Sequence, residues 1–272
     1  MSEFILLEDV SKSYNRNYVF ENINFSFNEC EAVAIMGKNG CGKSTLLKII
    51  AGILYCTKGK VITKQNLKIS YMPDKLPKLP FKVEDYLIHM GRIQGLSKND
   101  INAYINAKFE YLDIDQSIRK RQINNCSKGT IQKINLMQAI LVKPDLLVMD
   151  EPFSGLDEKS QQKLIYLLKN LLPQKVTIII SCHEKAVVKE LTEKIYILDN
   201  QLYLMDRDYS DHFIVRFMPT HIIDIADISI DGLLNVSKEN DLFTAEIKKS
   251  DVETVLIRLF NAGHKIRSVN LK

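Results

Sequence analysis

Nine consecutive residues, Gly37-Lys38-Asn39-Gly40-Cys41-Gly42-Lys43-Ser44-Thr45, match the phosphate-binding loop pattern in full. The closely spaced glycines let successive backbone N–H groups turn inward around phosphate oxygens, and a helix starting near Lys43 adds about half a positive charge at its N-terminus. Lys43 reaches the outer phosphates of a nucleotide, and the Ser44 hydroxyl is a hard oxygen ligand suited to Mg2+. A second group, Asp150 and Glu151, ends the apolar run Leu146-Leu147-Val148-Met149. Carboxylates at the carboxyl end of a buried strand lie where open α/β sheets take their ligands. Asp150 would hold Mg2+, directly or through water, and Glu151 would orient or deprotonate an attacking water.

Both groups need buried strands to position them. The run Ala32-Val33-Ala34-Ile35-Met36 stops at Gly37, and the apolar spacing of Leu46, Leu47, Ile49, Ile50 and Ile53 predicts a helix beyond it. Further strands are predicted at Phe4 to Leu7, Ile23 to Phe27, Lys60 to Ile62 and Leu67 to Tyr71, then at Leu146 to Met149, Val176 to Ile180 and Ile195 to Leu198. Helical periodicity in Val83, Tyr86, Leu87, Met90 and Ile93, and again in Ile101, Tyr104, Ile105, Phe109 and Leu112, makes residues 76–142 mainly helical. Strands alternating with helices give an α/β class with a largely parallel sheet. Beyond the polar stretch Asp206 to Ser210 the character changes. Strands near 213–217, 242–247 and 266–271 and a helix over 252–260 form a small α/β extension, so the domains are expected at 1–209 and 210–272.

Composition excludes several classes. The 272 residues are 46% hydrophobic and 26% charged, which is globular and not disordered. No apolar run approaches the roughly 20 residues needed to cross a bilayer, and the acidic N-terminus does not read as a secretory signal. A cytosolic chain is expected, with its five cysteines reduced and no Cys-x-x-Cys pair. The net charge of +4 is spread along the chain, which reads as a solvated surface with no nucleic-acid partner. His212, His221 and His264 are isolated and read as core or surface residues.

With these motifs in order, residues 1 to about 205 resemble the ATP-binding cassette (ABC) family. Tyr14 stands where that family stacks an aromatic ring on adenine. Cys126-Ser127-Lys128-Gly129-Thr130 resembles the signature Leu-Ser-Gly-Gly-Gln, matching at Ser127 and Gly129, and Ser154-Gly155-Leu156-Asp157 is the D-loop unchanged. His183 is at the switch-histidine position. The resemblance implies a P-loop NTPase of ABC ATPase fold, a mixed β-sheet core with a helical subdomain over about 76–142. It implies ATP and Mg2+ as ligands, with Lys43, Glu151 and His183 as the catalytic set. Residues 37–45 and Tyr14 would hold ATP, and Ser127, Lys128, Gly129 and Asp157 would act on nucleotide across a head-to-tail dimer. It further implies a separate transmembrane permease subunit, which would keep the chain peripheral on the cytoplasmic face of the membrane. Export of a peptide, antibiotic or similar compound is the expected work.

The pattern departs from the family at two places. Asp74 follows Ile69-Ser70-Tyr71-Met72-Pro73 where Gln is usual, adding a possible metal ligand and a third carboxylate. Lys128 and Thr130 replace Gly and Gln, and Lys128 either faces a γ-phosphate or points to solvent. Two other functions compete: a soluble cassette protein not coupled to transport, and a module that closes on ATP with weak turnover.

Overall fold

The computed structural model describes residues 4–15, 17–77, 79–192, 194–205, 212–219, 231–239, 242–248 and 251–271. The chain forms two compact units, Met1–Leu204 and Met205–Lys272, dividing five residues before the boundary expected at 209. His221 lies outside the described residues.

In the first unit, β1 (Ile5–Tyr14), β2 (Asn17–Phe27) and β4 (Lys58–Thr63) make an antiparallel sheet in the order β2-β1-β4. Sequence periodicity identified only the ends of the two long strands. Their middles are broken by register shifts between Leu7 and Val10 and between Val10 and Lys12, so the alternation of inward and outward residues is interrupted. The second sheet has the order β5-β6-β7-β3-β8-β9, from β3 (Ala32–Met36), β5 (Ile69–Met72), β6 (Leu146–Met149), β7 (Thr177–Ser181), β8 (Ile195–Asp199) and β9 (Gln201–Leu204). All its pairings are parallel except β8 with β9. Every residue of β3, β6 and β7 is buried, which is why these strands read as continuous apolar runs.

Between the sheets Phe20, Phe27, Leu46, Leu47, Val148 and Ile179 form one apolar core. Leu46 and Leu47 come from α1 (Lys43–Ile50), so burial of that helix anchors the loop preceding it. The region 76–142 contains α2 (Val83–Ile93), α3 (Lys98–Tyr111) and α4 (Lys128–Ala139), with two short 3-10 turns. Ser97 caps α3 by accepting from the Asp100 amide at 3.2 Å. α5 (Glu158–Leu171) leads back into β7, and α6 (Lys185–Leu191) into β8. No described helix is long and apolar enough to cross a membrane, and all five cysteines are free.

The second unit is a four-stranded antiparallel sheet in the order β11-β12-β10-β13, from β10 (His212–Met218), β11 (Leu233–Glu239), β12 (Leu242–Lys248) and β13 (Lys265–Leu271). On it α7 (Val252–Asn261) packs Val255 and Leu259 against Val215, Phe217, Phe243 and Ile247. Strand β11 was not expected from the sequence, because its central Asn235, Ser237 and Lys238 dilute the apolar pattern.

Candidate functional site

β3 delivers the chain at Met36 into the loop 37–42, and α1 takes it up at Lys43. The loop can only be built with glycine at position 42. There φ is +105°, and a Cβ would come within 2.5 Å of Val19 Cγ1. Lys43 is only 7% exposed, and its ammonium curls back to donate to the Gly37 carbonyl at 2.9 Å and the Lys38 carbonyl at 3.0 Å. The loop is therefore closed around its own cation, with the α1 N-terminal amides facing the same space.

That space is a cleft of about 440 Å3. Asn39, Gly40, Gly42, Lys43, Ser44 and Thr45 line its floor, and Tyr14 and Val19 one wall. Asp74, Glu151 and His183 line the other side. Gly37, Lys38 and Cys41 belong to the loop but do not line the cleft. Tyr14 is half exposed, and the Lys12 ammonium lies 5.0 Å from its ring centroid, leaning the cation on one face of the phenol.

Asp150 and Glu151 follow β6 and do different work. Asp150 is 3% exposed, and its Oδ1 accepts from the Ser181 hydroxyl at 2.6 Å. Glu151 has φ of +50°, left-handed for a residue with a side chain. Its amide donates to Ser181 Oγ at 2.9 Å, and its carbonyl accepts from Gln132 Nε2 at 2.9 Å and from the Ser154 amide at 3.1 Å. This backbone turn sends the carboxylate into the cleft. Glu151 Oε1 lies 2.9 Å from His183 Nε2, but off the hydrogen-bonding line, so this buried oxygen has no hydrogen bond.

The charge states follow from burial. Loss of hydration pushes the Glu151 carboxyl up to about 7, Lys43 opposes this, and the charges of Asp150, Asp74 and Glu184 add to it. His183 is held below its ordinary value by burial first and by Lys43 second, against the opposing pull of Asp150. The close contact is therefore not an ion pair near neutrality: a carboxyl on the edge of protonation faces a neutral imidazole.

Ser127, Lys128, Gly129 and Asp157 do not line this cleft. Ser127 caps α4, accepting from the Thr130 amide at 3.2 Å. Lys128 is exposed at the surface and is also bonded within its own chain. Its stem lies over Gly155, where an added Cβ would meet Lys128 Cδ at 2.8 Å, and its ammonium donates to Ser154 Oγ at 2.8 Å. Asp157, expected to contact another protomer, caps the α5 N-terminus within its own chain, accepting from the Ser160 amide at 2.8 Å. Hydrogen bonding from the Ser160 side chain first and its amide second holds the Asp157 carboxyl below the usual range.

Three positioning side chains were missed in the sequence. Ser181, Gln132 and Asn135 are polar residues within apolar surroundings, and all are buried. Asn135 Nδ2 donates to the Pro73 carbonyl at 2.6 Å, so α4 braces the turn carrying Asp74 as Gln132 braces the turn carrying Glu151. Their spacing of three residues on one helix was the available signal. Ser181 was visible only as a polar stop to the run Ile178-Ile179-Ile180.

The donor set suits a hard divalent cation arriving with a nucleotide. Ser44 and Asp74 line the cleft, and Asp150 is held as an acceptor beside Glu151. Among the described residues no three His, Cys, Asp or Glu side chains gather to hold an ion by themselves, the arrangement of sites that share Mg2+ with phosphates.

A family model described as ABC transporter matches residues 20–154. Similar curated proteins include the zinc import ATP-binding protein ZnuC of Buchnera aphidicola, 33% identical over 208 residues, covering 74% of this chain and 83% of that protein. The uncharacterized ABC transporter ATP-binding protein YhaQ of Bacillus subtilis is 31% identical and covers 98% of this chain and 94% of its own length. Among solved structures, a dimeric ATP-binding cassette in a post-hydrolysis state bound to ADP and phosphate has a TM-score of 0.66 at 24% identity, covering 74% of this chain and 98% of that one.

Proposed function

The chain belongs to the family of ABC transporter ATP-binding proteins and is an ATPase of the ABC fold, and from this we propose how its own residues carry the reaction. ATP lies along the floor of the cleft, its adenine on the open face of Tyr14 and its phosphates in the amides of residues 37–45. Lys43 exchanges its loop carbonyls for phosphate oxygens. Ser44 and Asp150, with Asp74 near them, would hold Mg2+, which would supply positive charge beside the phosphates. Glu151 orients and deprotonates the attacking water, and neutral His183 holds it against the γ-phosphate. The observation that carries this reading is the convergence of Lys43, Ser44, Glu151 and His183 on one cleft.

The signature residues lie outside that cleft, which supports a second copy or a related subunit supplying Ser127 and Gly129 at the N-terminus of α4. Two protomers then close head to tail around two ATP molecules. Lys128 serves this face indirectly, through Ser154, and Asp157 by capping the helix behind the D-loop. The work is coupled to a separate transmembrane subunit, which places the chain on the cytoplasmic face of the membrane. Export of a peptide or antibiotic gains no support from the relatives, since ZnuC is named for zinc import. Cargo and direction are set by the membrane subunit.

Lys43→Ala is expected to abolish ATP binding. Glu151→Gln is expected to keep binding, lower turnover by roughly 10² to 10⁴, and trap an ATP-dependent dimer seen by light scattering. Unchanged turnover would sink the assignment of Glu151, and a monomer at high protein and ATP concentration would sink the paired arrangement. Co-purification with a polytopic membrane protein tests the coupling.

A further inference from the structure

Ser181 ends β7, the strand lying between the one that feeds the phosphate loop and the one that feeds Asp150. It is fully buried. Its hydroxyl meets two partners: the Glu151 amide at 2.9 Å and Asp150 Oδ1 at 2.6 Å. An amide can only donate, so the hydroxyl accepts there and has its single proton free for Asp150. Both directions are thereby settled. Ser181 has no proton to give to chemistry, and it holds Asp150 in its acceptor form.

The second consequence concerns the backbone. A left-handed residue with a side chain is strained and persists only where its surroundings hold it. At Glu151 the carbonyl side is held by Gln132 and by the Ser154 amide, and the amide side by Ser181. Without the hydroxyl, the Glu151 N–H would be buried without an acceptor and the turn free to relax toward ordinary φ, swinging the carboxylate off the cleft.

The geometry points to Ser181 as a positioning residue for both carboxylates: one hydroxyl orients Asp150 toward the cation and fixes the turn that aims Glu151 at water. This rests on the roles given above to Asp150 and Glu151. It predicts that losing the hydroxyl lowers kcat with little change in the KM for ATP, because the phosphate loop is untouched. It also predicts a higher Mg2+ requirement, since partners of a metal ligand typically govern metal affinity or activity by about 10- to 100-fold.

The test compares Ser181→Thr with Ser181→Val, two variants of equal shape that differ in the hydroxyl, so any cost of the added methyl cancels. Ser181→Thr should turn over at least about tenfold faster than Ser181→Val, with KM for ATP within about threefold. The Mg2+ concentration for half-maximal binding of a fluorescent ATP analogue should be about tenfold higher for Ser181→Val. Equal kcat and equal Mg2+ requirement in the two folded variants would overturn the proposal. So would a difference confined to the KM for ATP or to melting temperature. Failure of the Glu151 assignment would show separately, as wild-type turnover in Glu151→Gln, and the Mg2+ requirement of the Thr and Val pair would still decide the role of Ser181.

Discussion

Replacing Glu151 with Gln should make the nucleotide-free protein more stable at alkaline pH and leave it nearly unchanged in acid. Burial raises the Glu151 carboxyl from 4.5 to about 7, so the folded state resists ionising it. Below pH 4.5 the carboxyl is protonated whether the chain is folded or not, and no penalty exists. Between 4.5 and 7 the unfolded chain releases the proton while the folded chain keeps it, and wild-type stability falls. Above 7 the penalty is complete. At roughly 1.4 kcal/mol per pH unit this amounts to about 3 kcal/mol. The side chain remains 19% exposed, and the hydration it retains trims the figure to about 2 kcal/mol. Gln has the same shape and does not titrate. For a domain of this size, melting should rise by about 4–8 °C at pH 8.5 and by about 1 °C or less at pH 4. The assay is thermal unfolding followed by circular dichroism, in EDTA and without nucleotide. An equal shift at both pH values, or a less stable variant at pH 8.5, would refute the claim that burial strains this carboxylate.

Three further outcomes follow from the geometry. Asp74→Gln removes one of the negative charges that raise Glu151, so the rising limb of the kcat/KM profile should move to lower pH and turnover at pH 6.5 should increase about two- to threefold; a profile that stays in place would separate Asp74 from Glu151. Tyr14→Ala should raise the KM for ATP about five- to tenfold, the worth of one aromatic stack, while Tyr14→Phe stays near wild type; equal KM values in all three would remove Tyr14 from the adenine site. Lys128→Met and Ser154→Ala should each lower turnover about two- to fivefold, the worth of one modest hydrogen bond, and the double variant no further; a KM effect in Lys128→Met alone would instead place the ammonium on the nucleotide.

The legible parts of the fold were those with uniform surroundings. β3, β6 and β7 are buried on both faces, so nothing interrupts their apolar runs, and the helices α2 and α3 show one clean stripe each. β1 and β2 were half read because bulges shift their register. The residues of the cleft were legible because phosphate chemistry demands particular types at fixed spacing: Lys43 and Ser44 at the head of α1, Glu151 at the end of β6. Lys128 was not legible. Its partner Ser154 is far along the chain and was read only as part of a motif, so the bond between them depends on how α4 lies against the turn after β6.

By itself the sequence determined that this is an α/β chain with a phosphate loop, paired carboxylates and the motif order of the ABC family, because backbone approach to phosphate and apolar burial both leave marks in local residue order. Only the tertiary structure decided what state those residues are in. Glu151 is poised near neutrality because water is excluded around it and three other carboxylates are near. Its turn stands in a left-handed conformation because Ser181, thirty residues away, and Gln132, on α4, hold the peptide groups on either side of it. Hydration, charge and hydrogen bonding act through space, and elements far apart in the chain meet only when the sheet has formed.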